Sequence, residues 1–176
     1  MALLRAVNVG GTNQVPMTEL AQVGERLGFT HVRTFLQSGN LVFEDPTGAA
    51  RALETRLETA TRTELGVTTD FCIRTVPAWR EVVRRNPFPT EARDDPGHLV
   101  TIFLKAAPRP GSEARLRDKI RGRERARVIG SEAYVVYPDG IGTSKLTLPL
   151  VERALGAHGT GRNWNTVTKL LALAEE

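Results

Sequence analysis

Hydrophobic positions change period several times along the 176-residue chain, and each change marks an element. Residues 2–8 are a short apolar run that stops at Asn8-Val9-Gly10-Gly11, which predicts a strand. Pro16 then opens a segment in which Met17, Leu20, Gly24 and Leu27 are spaced 3, 4 and 3 apart. That is one face of a helix, and Gly28 is its stop. Residues 32–36 and 41–44 read as strands joined by Gln37-Ser38-Gly39-Asn40, a hairpin turn. A helix over 49–65 carries Leu53, Leu57 and Ala60 on one stripe and ends at Gly66. From 67 to 75, Val67, Thr69, Phe71 and Ile73 alternate with Thr68, Asp70, Cys72 and Arg74. The resulting order, β-α-β-β-α-β, is the split βαβ or ferredoxin-like unit.

Residues 77–85 predict a connecting helix, broken by Asn86-Pro87-Phe88-Pro89 as a rigid joint with Phe88 its anchor between domains. After a polar stretch over 90–97 the order begins again. An apolar strand over 98–105 precedes a helix over 112–120. Strands over 126–129 and 133–137 flank Gly130-Ser131, and a helix over 148–155 stops at Gly156. The closing element is no clear strand: Trp164, Val167, Leu171 and Ala174 are spaced 3, 4 and 3 apart, so 164–175 is a terminal helix. The expected class is α+β, two tandem ferredoxin-like (α/β plait) units, the second with a terminal helix in place of a clear last strand. Residues 1–76 form the first, 77–97 the connection and 98–176 the second. The halves share an order of elements and no residue-level repeat.

Composition narrows the setting more than the function. The apolar run at the start is too short for a secretory signal, and no segment reaches the ~20 apolar residues that span a bilayer, so a cytoplasmic protein without membrane contact is expected. Cys72 is the single cysteine and reads as a packed, inert thiol. The net charge is +4, but 20 of the 24 basic residues are arginine, a skew that GC-rich coding produces whatever the function. Seven basic residues, six of them arginine, lie from Arg115 to Arg127 against Asp118 and Glu124. This segment supports an alternative reading, a nucleic-acid-associated protein. A solvated helix face is the simpler account, and the first unit lacks the strand aromatics on which RNA bases stack.

The loops carry the candidate chemistry. In a right-handed β-α-β crossover the loop after the first strand and the turn after the second lie on one sheet edge. Asn8, Gly10, Gly11 and Asn13 then come beside Gln37, Ser38, Gly39 and Asn40, next to a helix N-terminus with free N–H groups. Such an edge can cradle a polar or anionic ligand. Equally, its glycines can serve tight connections and its amides can tie the two turns together. Near the other end, Asn163 is a good N-cap before Trp164, Asn165 follows it, and Arg162 calls for a carboxylate or a bound anion opposite. Ser144 and Lys145 are adjacent and lack the Ser-x-x-Lys spacing of a nucleophile and its base. His31, His98 and His158 stand in no metal-ligand spacing, and neither a metal nor a cofactor is expected.

Six segments in one order, Asn8-Val9-Gly10-Gly11, Val15-Pro16-Met17, Gln37-Ser38-Gly39-Asn40, Asn86-Pro87-Phe88-Pro89, Ser144-Lys145-Leu146 and Arg162-Asn163-Trp164-Asn165-Thr166, resemble a mostly bacterial family, domain of unknown function sixteen-ninety-seven. The resemblance spans nearly the whole chain and implies the same tandem architecture. The family has no activity to lend, so no catalytic residue is carried over. The expected function is binding of a polar or anionic small molecule at the Gly/Asn-rich loops, with Lys145, Arg162, Asn163 and Asn165 as further candidates. An enzyme whose site the fold assembles is the third reading.

Overall fold

The computed structural model describes residues 1–8, 14–46 and 48–176. Among them are two four-stranded sheets, antiparallel throughout, and seven helices, an α+β architecture. The chain divides into two compact units: Met1–Trp79 with Leu170–Glu176, and Arg80–Lys169.

In the first unit the order is β1 (Ala2–Leu4), α1 (Met17–Arg26), β2 (Thr30–Thr34), β3 (Asn40–Glu44), α2 (Ala50–Leu65), β4 (Phe71–Ile73). The sheet runs β2-β3-β1-β4, the spatial order that the β-α-β-β-α-β pattern implies. Ala2, Leu4, Leu41, Phe71 and Ile73 meet Leu20 of α1 and Leu53 and Leu57 of α2 in one buried cluster. β1 and β4 are shorter than their hydrophobic patterns suggest. Beyond Leu4 the backbone turns at Ala6 (φ 52°); Arg5 N–H still donates to Asp70 O at 3.0 Å, while Arg5 O accepts from the Thr69 hydroxyl at 2.7 Å, where the ladder ends. Gly66, at φ 67°, ends α2 as its left-handed cap.

In the second unit the order is α4 (Pro89–Asp94), β5 (Leu99–Leu104), α5 (Ser112–Arg117), β6 (Arg125–Ile129), β7 (Glu132–Val136), α6 (Leu148–Leu155), β8 (Gly159–Asn163). Its sheet runs β6-β7-β5-β8, the same arrangement in a second copy. Val100, Ile102, Val135 and Tyr137 pack with Leu116 of α5 and Val151 and Leu155 of α6. The opposite face is buried as well, and Tyr134 donates its hydroxyl to Val82 O of α3 (Val76–Arg84) at 2.8 Å. The division between units falls within α3 and within α7 (Trp164–Glu175).

Two expectations need correction. The polar stretch after Phe88 contains the short helix α4, started by Pro89 at its first position. And the second unit has a last strand: β8 pairs with β5 from Val100↔Asn163 to Leu104↔Gly159, with α7 following it. A strand reading Gly159-Thr160-Gly161-Arg162-Asn163 has little intrinsic β preference. Pairing makes it, and packing demands its glycines. A Cβ at Gly159 would come 2.8 Å from Phe103 O, and one at Gly161 3.1 Å from Val100 Cγ1.

Candidate functional site

At the exit of β1, Asn8 takes a left-handed backbone conformation (φ 55°), which asparagine tolerates better than other non-glycine residues. Its side chain is fully used. Nδ2 donates to Val15 O at 3.1 Å and to Gln37 O at 2.6 Å, and Oδ1 accepts from Val15 N–H at 2.8 Å. One amide therefore holds Val15 and the turn after β2 at the exit of β1. The two loops meet at one sheet edge, as right-handed crossover requires. Gly10, Gly11 and Asn13 lie outside the described residues.

The hairpin turn is built for structure. Gly39 (φ 75°) lies so close to β1 that a Cβ would sit 2.7 Å from Val7 Cγ2 and 2.8 Å from Leu4 Cβ. Its carbonyl accepts from Leu4 N–H at 2.9 Å. Asn40 is fully buried, and Nδ2 donates to Phe35 O at 2.6 Å and to Ser38 Oγ at 3.1 Å. Gln37 and Ser38 are exposed, beside Leu36, whose φ of 60° and 52% exposure are both unusual for leucine. Between the loops lies a concavity of about 330 Å³ lined by Asn8, Gln14, Val15, Pro16 and Gln37. Its polar lining is amide, with no formal charge. Pro16 is also the N-cap position of α1, where no side chain caps the first turn.

The remaining candidates do not gather there in any described contact. Asn163 caps α7 as its sequence suggests: Oδ1 accepts from Thr166 N–H at 3.0 Å and Thr166 Oγ1 at 2.9 Å. Asn165 is exposed. Arg162 is buried on β8, where Nη1 donates to Thr160 Oγ1 at 2.7 Å and Gly161 O at 2.8 Å. Lys145 is exposed, and its neighbour Ser144 donates to the Glu124 carboxylate. That bond holds Glu124 below the usual carboxylate range and aligns the serine with an acid, not with Lys145. In the arginine-rich stretch, Arg117 and Arg127 pair with Glu113, Arg123 with Asp139, and Arg125 with Glu91. Among the described residues no three of His, Cys, Asp and Glu gather as metal ligands. No helix among them is long and apolar enough to cross a membrane.

Periodicity gave no hint of the carboxylates on the helices. Glu54 of α2, buried, accepts from Ile73 N–H at 2.9 Å, and Glu58 accepts from Phe71 N–H at 3.0 Å. Both bonds cover the outer edge of β4, which would otherwise offer its N–H groups to another strand. The one available signal is their i,i+4 spacing beside the apolar stripe of Leu53 and Leu57.

Residues 1–134 match the model of a family described as a protein of unknown function, DUF1697. The chain belongs to DUF1697. The matched span contains every loop of the first unit and ends within β7. A solved structure similar to this DUF1697 chain is that of conserved bacterial protein SP0830 from Streptococcus pneumoniae. The TM-score is 0.75 at 21% identity, covering 98% of this chain and 96% of that one, a likeness of fold. No curated protein matches the chain.

Proposed function

We propose that this chain is a bacterial cytoplasmic protein of two ferredoxin-like plaits connected through residues 77–97, and that it binds a small polar or anionic molecule at the loop edge of the first plait. The observation that carries the reading is the Asn8 clasp. Its three hydrogen bonds hold Val15 and the turn after β2 at the exit of β1 and frame an amide-lined concavity beside an uncapped helix N-terminus. Ordering these groups before binding removes entropy that a ligand would otherwise have to lose. Gln14 and Gln37 each offer a donor and an acceptor, and the first turn of α1 adds N–H groups suited to an anion. Asn8, Gly39 and Asn40 are frame, and Gln14 and Gln37 are the contacts. Two consecutive glycines in the loop admit a ligand close to the backbone.

The test is a titration of the parent and the Gly10→Val variant against a panel of phosphorylated metabolites and a short RNA. The parent is expected to bind a member of the panel, and Gly10→Val to weaken that binding by about tenfold or more, ~1.4 kcal/mol. Replacing Arg121, Arg123 and Arg125 by Gln is expected to leave it unchanged. Tight, salt-sensitive RNA binding lost only in the arginine variant would instead establish the nucleic-acid reading.

A further inference from the structure

The two units repeat one hydrogen-bond frame where their first strand ends. Leu4 N–H donates to Gly39 O, and Leu104 N–H to Ser131 O, both at 2.9 Å. Arg5 N–H donates to Asp70 O at 3.0 Å, and Lys105 N–H to His158 O at 2.8 Å. In each unit a helix glutamate then accepts from the first N–H of the outer strand: Glu58 from Phe71 at 3.0 Å, Glu152 from Gly159 at 2.9 Å. Asp70 and His158 are therefore equivalent positions, as are Glu58 and Glu152.

Each frame borders a concavity, and the two differ in charge. In the first unit it measures about 310 Å³, and Arg5 and Arg62 face Glu58 and Asp70. In the second it measures about 430 Å³, with Arg109, Arg153 and His158 around Glu152, whose carboxylate is bonded to the strand edge. A histidine stands where the first unit has an aspartate. An adjoining hollow of about 270 Å³ shares Arg153 and adds Arg115 and Lys119, with Asp118 on the same wall. Four permanent cations thus line the two hollows, with Arg153 common to both, against two carboxylates.

Local structure holds two of these cations in place. Arg109 N–H donates to Leu155 O at 2.9 Å, and the Arg109 stem lies on Gly156, where a Cβ would come within 2.5 Å of Cδ and Nε. Arg115 Nε donates to Ala154 O at 3.2 Å. Both cations rest at the carbonyl end of α6, where the helix dipole favours them. Among the described residues no carboxylate pairs with Arg109, Arg115, Lys119 or Arg153, whereas Arg117, Arg123, Arg125 and Arg127 each have an acidic partner.

We propose that this hollow in the second unit is an anion site, separate from the first-unit loops, that takes the phosphoryl group of a small phosphorylated molecule. Arg109 and Arg153 grip the phosphoryl oxygens through their planar guanidinium forks. Pro149, Gly156 and Ala157 receive the less polar remainder. The hollow has the volume of a small-molecule site. A polyanion, in contrast, would need the neighbouring arginines that already hold their own carboxylates.

Amide-resolved NMR titration at low salt with inorganic phosphate, with glucose 6-phosphate and with a short RNA tests this. Both phosphoryl compounds are expected to shift amides within 105–111 and 149–158. Arg109→Gln with Arg153→Gln should weaken both by about tenfold or more, and Arg109→Lys with Arg153→Lys should recover part of the loss because charge returns without the fork. Gly10→Val should leave this response intact, which separates its failure from failure of the first-unit site. The proposal is overturned if the parent shows no shift at about 10 mM phosphoryl compound, if the Gln variant responds like the parent, or if RNA binds the hollow and the small compounds do not.

Discussion

A single amide and a single glycine bear much of the first unit's loop edge. Asn8 makes three hydrogen bonds, and removing its side chain leaves Val15 N–H and two carbonyls without that partner. Asn8→Ala is expected to cost about 1–3 kcal/mol, read as a lowered urea midpoint with unchanged slope. Gly39→Ala meets both a left-handed backbone (φ 75°) and side-chain atoms 2.7 and 2.8 Å away. Strain and overpacking together should cost about 1–3 kcal/mol or more in the same assay. At this scale the motif letters Asn8, Gly39 and Asn40 are legible as important. What they do is not legible, because a side-chain amide that clasps a loop and one that holds a ligand look alike in a sequence. Geometry separates them: Asn40 is buried on its own hairpin, while Gln37 faces a concavity.

Among the elements, the outer strands depend on carboxylates from their helices. Glu54→Ala would leave Ile73 N–H unsatisfied in a buried setting, with an expected loss of about 1–3 kcal/mol. Circular dichroism during urea unfolding checks it, and Glu58→Ala, on a partly exposed bond, should cost less. Acid sensitivity belongs to carboxylates held low in the folded state, Glu91 and Glu124 among them. The hydrogen bond from Arg125 holds Glu91 below its ordinary value of 4.5. A carboxylate depressed in the folded state contributes stability above its unfolded pKa and loses it as pH falls through the folded one. Stability should therefore decline below about pH 4.5, and Glu91→Gln should flatten that decline in denaturation midpoints measured across the acid range. Most elements could be placed from period and stop signals: α1, α2 and α6 end at or within two residues of the stops that Gly28, Gly66 and Gly156 announce. The strand β8 could not, since its two glycines argue against a strand until the close approach of β5 is known.

For the whole molecule, the two sheets differ in how much ladder holds them. In the first unit β1 has two residue pairs with β3 and three with β4, while in the second β5 has five with each neighbour. Amides of β5 and β7 are expected to exchange with solvent more slowly than those of β1 and β4, since longer ladders open less readily. Hydrogen exchange followed by NMR or mass spectrometry reads this, and equal protection would contradict it. By itself the sequence determined the α+β class, the repeated order of elements and the helix faces, because periods of 3.6 and 2 follow from local backbone geometry. It also placed the first two loops on one edge, since the crossover leaves no other choice. Only the tertiary structure decided that Asn8 is a clasp, that Gly159 and Gly161 belong to a strand, and that Arg123, Arg125 and Arg127 pair with acids distant in sequence. It alone drew Arg109, Arg115, Lys119 and Arg153 along two hollows that share Arg153. Those facts depend on which groups lie close to each other in space, within about 3 Å for a hydrogen bond, and residues up to some sixty positions apart in the chain carry no local mark of that distance.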